Sequence, residues 1–260
     1  MSQSVSIRRS LGVLVLASAV SLPGPGCRAT ADSDRQEGAR ISETHRTLRV
    51  AIVGDSTVAD YAAGSSRRGW GQMLPAFFTE NVHCTNFARS GRSSKSFIKE
   101  GLWAKVLAAK PDYVLIQFGH NDCPGKGERS TDPAGDFPDY LRRYVNDSRS
   151  IGATPILITP MERRNFGTDG RIRASLTPYS DAMKKVAAEQ HVALVDLHAE
   201  SIAMLNRLGD AGSVHLNSSK ADHTHWSPEG ARILAEMVAK ALPPDGLGRY
   251  RKNPPAPSSR

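Results

Sequence analysis

The stretch that decides the fold is RVAIVGDSTVADY, residues 49–61. It begins with a short apolar run rich in β-branched residues and stops at the polar cluster of residues 54–57. Such a run with turn-forming residues after it predicts a strand buried on both faces and followed by a loop. One interpretation of the cluster is that Asp55, Ser56 or Thr57 caps the next helix. The other is that one of these side chains is a nucleophile held at the end of the strand.

The same alternation continues along the chain. More β-rich apolar runs lie at residues 82–87, 113–118, 155–159 and 192–195. Helical patterns lie between and after them, at residues 70–79, 94–108, 137–150, 179–189 and, after a long loop, 228–241. Strands that alternate with helices predict a parallel sheet covered on both faces. The sequence therefore predicts an α/β fold, a three-layer α/β/α sandwich with a five-stranded parallel sheet.

One domain of this kind accounts for residues 48–243, because no internal repeat and no linker interrupts that range. Residues 32–47 are polar and predict a flexible lead-in. Residues 244–260 end in a Pro- and Ser-rich segment and predict a disordered tail.

The first 31 residues have the layout of a signal peptide, in which two arginines precede the apolar run 11–22. That run is too short to span a bilayer comfortably. The small residues 29–31 fit a cleavage site, and Cys27 offers a lipidated N-terminus as the alternative. We expect export to the periplasm or the medium, with cleavage after Ala31 favoured over a lipid anchor and no membrane insertion after leader removal.

Net charge limits the kinds of molecule that the protein can bind, and the cysteines bear on disulfide formation. The formal net charge of +8 becomes 8 − 3 = +5 without the leader, which carries three arginines and no acid. A moderate positive excess suits an acidic substrate, whereas the scattered basic residues argue against nucleic acid. We expect a monomer. Cys84 and Cys123 could pair in an oxidising compartment, although their positions favour two separate thiols.

Four polar blocks lie where a ligand would bind. Three of them follow strands directly, at residues 54–57, 88–94 and 119–122, and the fourth, DHTHW at 222–226, precedes the last helix. In open α/β sheets, ligands bind beyond the carboxyl ends of the strands, where the strand order reverses. If the second and third strands flank the first, the blocks converge on one patch.

The residue types in these blocks match nucleophilic catalysis. A serine hydroxyl needs a base to take its proton, and the base needs an orienting partner. Ser56, His225 and Asp222 supply the three groups, and the three-residue offset lets the carboxylate fold back onto the imidazole. The N–H groups of Ser56 and Gly91 and the side-chain amide of Asn121 could stabilise negative charge on a carbonyl oxygen, as an oxyanion hole does.

Taken in order, the motifs GDST, ARSGRSSKSF, IQFGHND and DHTHW resemble the blocks of the SGNH (GDSL-type) hydrolases. The strings GWGQ, GRSSKSF and TPMERRNF are similar to those of the rhamnogalacturonan acetylesterase branch, and the similarity spans about residues 49–241. The resemblance implies a flavodoxin-like fold, Ser56 as nucleophile, Gly91 and Asn121 as oxyanion donors, and Asp222 with His225 completing the triad. Thr57, where the motif has Leu, is the one departure.

The resemblance further implies a secreted serine esterase, without cofactor, that removes O-acetyl groups from an acidic polysaccharide, rhamnogalacturonan. The alternatives are an esterase for another acetylated glycan such as acetyl-xylan, or for a lipid, and a non-catalytic glycan-binding protein. Asp222, His223 and His225 could instead bind a metal, but a further fixed ligand is missing, so we predict no metal site.

Several other polar residues have both a structural and a functional interpretation. We expect Asp122 to hold its loop and His120 to make a structural hydrogen bond. Arginines near the site are either surface charges or ligands for a galacturonate carboxylate. Trp226, beside the predicted base, is a candidate for stacking on a sugar. The candidate substrate-binding residues are Arg92, Arg163, Arg164 and Trp226.

Overall fold

A computed structural model of the chain describes residues 47–252. The predicted signal peptide, Cys27 and residues 32–46 of the predicted lead-in lie outside the described residues, as do residues 253–260. Within the described range, no helix combines the length and the apolar character that crossing a bilayer requires.

The core of the fold is a parallel sheet of five strands in the order β2-β1-β3-β4-β5. Strand β1 is buried on both faces, pairs with β2 on one side through Val50 and Cys84, and pairs with β3 on the other through Ile52 and Leu115. The strands are β1 (Leu48–Val53), β2 (Val82–Asn86), β3 (Tyr113–Ile116), β4 (Thr154–Ile158) and β5 (Ala193–Val195). The predicted parallel sheet and its five strands are confirmed.

Helices cover both faces, which confirms the three predicted layers. Ile52 packs on the face covered by α1, α6 and α7, and Val53 packs on the face covered by the other four helices. The helices are α1 (Trp70–Met73), α2 (Ser94–Lys99), α3 (Leu102–Ala108), α4 (Asp136–Ser150), α5 (Thr177–Glu189), α6 (Leu197–Ser213) and α7 (Pro228–Ala241). Because β1 lies between β2 and β3, the loops after these three strands meet at one edge of the sheet.

Two predicted helices are shorter than expected. The pattern at 94–108 is divided between α2 and α3 because Gly101 has a φ of 72°, which an α-helix cannot contain. The pattern at 70–79 gives only the four-residue α1 and then a 3₁₀ turn, Leu74–Phe77, with a proline in its first turn.

Helix α6 was not predicted, since residues 197–213 fell within the long loop ahead of the last helix. Asp196 caps α6 by accepting a hydrogen bond from the Ala199 N–H, and Leu197, Met204 and Leu205 are buried at helical spacing. These signals were present in the sequence. The helix is interrupted near its end by Gly209, whose φ is 69°.

The predicted start of the disordered tail, residue 244, is too early in the chain. Residues Leu247–Tyr250 form a 3₁₀ helix, and the side chain of Leu247 is fully buried in the core. The Lys252 N–H donates to the Phe77 carbonyl at 2.8 Å. The apolar Leu247 accounts for the error, because the Pro- and Ser-rich composition starts only after Lys252.

Cys84 and Cys123 are two free thiols in the structure. Burial raises the pKa of the Cys84 thiol to about 12 and also raises the pKa of Cys123.

Candidate active site

Ser56 lies in a tight turn directly after β1. The Asp55 carbonyl accepts hydrogen bonds from the N–H groups of Val58 at 3.2 Å and Ala59 at 3.0 Å. The next helix begins only at Trp70, and Gly69 occupies its N-cap position. The interpretation that this cluster caps the next helix is therefore wrong.

The turn allows no side chain at Gly54. A Cβ there would lie 2.5 Å from a methyl carbon of Val58 and 2.8 Å from the Gln117 carbonyl oxygen. Both separations are shorter than carbon and oxygen atoms tolerate, so the glycine of the GDST motif is a packing requirement.

A network of buried polar side chains stabilises this turn. Asp55 Oδ1 accepts from both the N–H and the hydroxyl of Thr57, each at 2.8 Å. The Thr57 hydroxyl also accepts from Gln117 Nε2 at 2.9 Å, and Gln117 Oε1 accepts from Trp70 Nε1 at 2.7 Å. This network explains Thr57, because the Leu of the family motif could neither donate to Asp55 nor accept from Gln117.

Asp55 is fully buried beside His120. Burial raises the pKa of the Asp55 carboxyl, but the charge of His120 and the hydrogen bonds from Thr57 outweigh burial and lower the pKa. The His120 Nδ1 lies 3.4 Å from Asp55 Oδ2, and among the described residues neither ring nitrogen of His120 makes a hydrogen bond. The ring therefore contacts Asp55 electrostatically, and the predicted structural hydrogen bond is not formed.

The structure brings Ser56, His225 and Asp222 into one hydrogen-bonded chain. Ser56 Oγ lies 2.9 Å from His225 Nε2, and His225 Nδ1 lies 2.9 Å from Asp222 Oδ2. Because a carboxylate only accepts, Nδ1 carries the ring proton and Nε2 accepts from the serine hydroxyl. The loop folds back as the sequence predicts, since Asp222 Oδ1 also accepts from the N–H groups of Thr224 at 3.0 Å and His225 at 2.9 Å.

The Asp222 carboxylate has further partners. Its Oδ2 accepts from the Ser218 hydroxyl at 2.8 Å and from Arg67 Nη2 at 3.0 Å. Burial raises the pKa of Asp222, but the hydrogen bonds from the His225 and Thr224 N–H groups outweigh burial and hold the pKa well below its ordinary value. Arg67 was missed by the sequence analysis, because no local pattern points to a contact between residues 155 positions apart.

The three candidate oxyanion donors lie on loops that contact one another. Asn121 Nδ2 donates to the Arg92 carbonyl at 3.1 Å, which fixes the amide and leaves its second N–H available. The Tyr61 hydroxyl donates to the Ser56 carbonyl at 2.8 Å and lies 3.3 Å from Ser90 Oγ, the neighbour of Gly91.

Gly91 has a φ of 80°, a backbone conformation that favours glycine. Within residues 47–252, the backbone N–H groups of Ser56 and Gly91 donate to no protein acceptor. They are therefore available to a ligand.

Asp122 holds its loop, as expected. Its fully buried carboxylate accepts from the Ser94 N–H at 3.1 Å, from the Ser94 hydroxyl at 2.5 Å and from the Thr131 hydroxyl at 3.1 Å. Burial raises the pKa of Asp122 to about 7 and outweighs these hydrogen bonds, which lower it.

Three of the four candidate substrate-binding residues have other roles. Trp226 is only 1% exposed, so its ring cannot stack on a sugar. Arg164 is 2% exposed and forms an ion pair with Asp210, which excludes it as a surface ligand. Trp226 was a candidate because it adjoins the base in sequence and Arg164 because it is basic, and neither property reveals whether a side chain faces the core.

Arg163 also differs from the expectation, because its guanidinium already joins two loops of the protein. It donates to Thr224 Oγ1 at 2.8 Å and to the His120 carbonyl at 3.0 Å. Arg92 is partly exposed and pairs with Glu100 at 2.8 Å.

The loop that carries His225 is attached to its surroundings at further points. The Arg164 N–H donates to the His223 carbonyl at 2.8 Å, and the Arg68 N–H donates to the Trp226 carbonyl at 2.9 Å. Among the described residues, no group of three or more His, Cys, Asp or Glu side chains is arranged to hold a metal ion.

Comparison with known proteins agrees with this geometry. A family model described as GDSL-like lipase/acylhydrolase matches residues 50–238. The chain belongs to the GDSL-like lipase/acylhydrolase family. As a GDSL-family protein it is a carboxylic ester hydrolase.

Relatives within the GDSL family include two proteins of Bacillus subtilis (strain 168). One is named probable rhamnogalacturonan acetylesterase YesY and is 36% identical over 76% of this chain and 94% of its own. The other is named rhamnogalacturonan acetylesterase RhgT and is 34% identical over 78% of this chain and 92% of its own.

Solved structures show the same GDSL-type fold. YxiM of B. subtilis superposes with a TM-score of 0.69 at 27% identity over 78% of this chain, which spans 57% of that protein. A catalytic mutant of Axe2, an acetylxylan esterase from Geobacillus stearothermophilus, gives a TM-score of 0.61 at 21% identity over 80% of this chain and 98% of its own.

Proposed function

We propose that this chain is an exported serine esterase that removes O-acetyl groups from the pectic polysaccharide rhamnogalacturonan. The observation that carries the proposal is the continuous hydrogen-bonded chain from Ser56 Oγ through His225 to Asp222. The names of the two B. subtilis relatives support the substrate, as does a 29% identical protein of Emericella nidulans named rhamnogalacturonan acetylesterase. The signal-like composition of the first 31 residues supports export.

In the first half of the proposed reaction, Ser56 Oγ attacks the acetyl carbonyl carbon while its proton passes to His225 Nε2. The carbonyl π electrons move to the oxygen, where the N–H groups of Ser56 and Gly91 and the Asn121 amide stabilise the negative charge. The oxyanion then collapses, the bond to the sugar oxygen breaks, and His225 returns the proton to that oxygen. The products are the free sugar hydroxyl and an acetyl-serine.

In the second half, water attacks the acetyl-serine while His225 takes one proton from it. Collapse of the second tetrahedral intermediate releases acetic acid and returns the proton to Ser56 Oγ. Asp222 remains ionised throughout, because its low pKa keeps it a carboxylate, and it stabilises the imidazolium that forms twice in the cycle.

The surface favours a short acyl group over a long one. Among the residues that the structure describes, Leu208 on α6 is the one exposed large apolar side chain, at 39%. A lipase would need a contiguous apolar surface to hold a long chain.

The experiment is acetate release from acetylated rhamnogalacturonan and acetyl-xylan by the wild type and by Ser56→Ala, with nitrophenyl acetate and octanoate as small esters. We expect rhamnogalacturonan to be the best polymer and Ser56→Ala to lose on the order of 10⁶ in turnover. Faster hydrolysis of acetyl-xylan than of acetylated rhamnogalacturonan, or of the octanoate than of the acetate, would contradict the proposed substrate. If a fluorophosphonate failed to label Ser56, the non-catalytic alternative would stand.

A further inference from the structure

A second concave feature lies beside the loop that carries His225. It is a groove of about 490 Å³ lined by residues that include Asn165, Phe166, Arg173 and His223. This volume is in the range of roughly 300–1,000 Å³ that is typical of small-ligand sites. Ser56, Asp222 and His225 do not line it. The groove is therefore separate from the reacting atoms but shares a loop with them.

The groove is held in shape by backbone hydrogen bonds. The Arg173 N–H donates to the Asn165 carbonyl at 2.8 Å, and the Gly167 N–H donates to the Arg171 carbonyl at 2.7 Å, so residues 165–173 form a closed turn. The Ile172 N–H donates to Asn206 Oδ1 at 2.8 Å, which attaches this turn to α6. The lining residues are thus positioned before any ligand arrives.

The electrostatic character of the groove is positive. Asp210 and Arg164, which also line it, form an ion pair with each other and leave no net charge. Arg173 is exposed, and its guanidinium makes no hydrogen bond or ion pair with any residue that the structure describes. An unpaired arginine in a preformed groove favours a carboxylate ligand, which it can bind through two parallel hydrogen bonds.

The remaining lining groups suit a sugar. Phe166 is partly exposed and offers an apolar face, and Asn165 offers an amide. His223 Nδ1 lies 2.9 Å from the Arg164 carbonyl, to which it donates, so Nε2 remains available to a hydroxyl. We infer that this groove binds a uronate unit of the polysaccharide, with its carboxylate on Arg173, while the acetylated unit lies at Ser56.

This inference rests on the proposed function and names the part of the substrate that the protein recognises beyond the acetyl group. His223 is two residues from His225, so their Cα atoms are at most about 7 Å apart. A neighbouring sugar of the same polymer can therefore reach the groove. Arg173 takes the role that the sequence analysis gave to Arg92, Arg163 and Arg164, each of which pairs with another residue of the protein.

The test compares Arg173→Gln with Arg171→Gln, a matched control that removes the same charge from the same turn but does not line the groove. For each variant, kcat/KM on acetylated rhamnogalacturonan is divided by kcat/KM on nitrophenyl acetate. We expect Arg173→Gln to lower this ratio roughly tenfold, through KM, because an interaction with a remote sugar contributes uniform binding. Arg171→Gln should leave the ratio near the wild-type value.

Reducing the carboxyl groups of the polymer should abolish the difference between Arg173→Gln and the wild type. The inference would be overturned if Arg173→Gln and Arg171→Gln had equal ratios on the acidic polymer. It would also be overturned if Arg173→Gln lowered the ratio as much on the carboxyl-reduced polymer as on the acidic one.

A binding measurement separates this inference from the proposed function. Titration of Ser56→Ala with unacetylated oligogalacturonate should give a calorimetric signal that Ser56→Ala/Arg173→Gln lacks. If the wild type failed to deacetylate rhamnogalacturonan, the proposed function would fail while this titration still decided the role of the groove. Equal binding by the two proteins would exclude the role of Arg173.

Discussion

Arg67 Nη2 lies 3.0 Å from Oδ2 of Asp222, the same oxygen that contacts the His225 ring at 2.9 Å. One carboxylate oxygen therefore serves the base of the proposed triad and an arginine from a loop 155 positions earlier in the chain. The Arg67 side chain is 46% exposed, so solvent screens this pair and its effect is modest.

We predict that Arg67→Gln lowers kcat/KM on nitrophenyl acetate roughly two- to fivefold at low salt, because Asp222 loses one of the donors that hold its carboxylate against the His225 ring. The loss should shrink at high salt, because the pair is partly exposed. The measurement is kcat/KM at two ionic strengths, and an unchanged value at low salt would show that Arg67 does not influence the base.

The Asn121 amide should act on the transition state. Asn121→Ala should lower kcat by roughly 10²–10³ with little change in KM, because an oxyanion donor strengthens its interaction only as charge develops. Steady-state kinetics on an activated acetyl ester would measure this, with a melting curve to check that losing the hydrogen bond to the Arg92 carbonyl does not unfold the loop. A wild-type rate would rule out the oxyanion assignment.

The Thr57 hydroxyl should matter for stability. Thr57→Val removes the acceptor for Gln117 Nε2 and one donor to Asp55 in a fully buried site, and we expect a loss of about 1–3 kcal/mol in the free energy of unfolding. Thr57→Ser keeps the hydroxyl and is the matched control. Urea unfolding of the three proteins measures the difference, and equal midpoints for Val and Thr would mean that the network contributes nothing.

Asp122 should make stability depend on pH. Its pKa is about 7 in the folded protein and about 3.9 when unfolded, so the folded state binds more protons between these values. The associated stability is fully present below about pH 3.9 and is lost as the pH rises towards 7, at up to about 1.4 kcal/mol per pH unit. Asp122→Asn should flatten the curve of unfolding free energy between pH 5 and 7 relative to the wild type. Parallel curves for the two proteins would contradict the raised pKa.

Sequence-based prediction was accurate where a local pattern determines the structure. The parallel strands were recognised from apolar runs, and α7 was predicted at Pro228–Ala241, its observed limits, because Ser227 and Pro228 mark its start. The prediction that Ser56, Asp222 and His225 meet succeeded for a related reason. Ser56 follows a strand whose carboxyl end faces the ligand-binding edge of the sheet, and Asp222 and His225 are three positions apart in the loop just before α7, so their contact is local.

Prediction failed where the answer depends on which distant surface a side chain faces. Trp226 follows the base directly in sequence and Arg164 belongs to the string TPMERRNF, yet both side chains are buried, where they contact α7 and α6. Arg67 reaches Asp222, and Arg173 reaches the groove, only through the folding of loops that carry no periodic pattern. Helix α6 is a different case, because Asp196 and the spacing of Leu197, Met204 and Leu205 were sufficient to predict it.

The attachment of the base-bearing loop has a thermal consequence. Arg163 binds Thr224, the adjacent Arg164 binds His223, and Arg68 binds Trp226, so the loop is attached to two other segments of the chain. We expect a segment with these attachments to unfold together with the rest of the structure and not before it. Heat inactivation of turnover and the cooperative loss of ellipticity should therefore occur at the same temperature, and the hydrolase should keep its full rate up to the onset of melting.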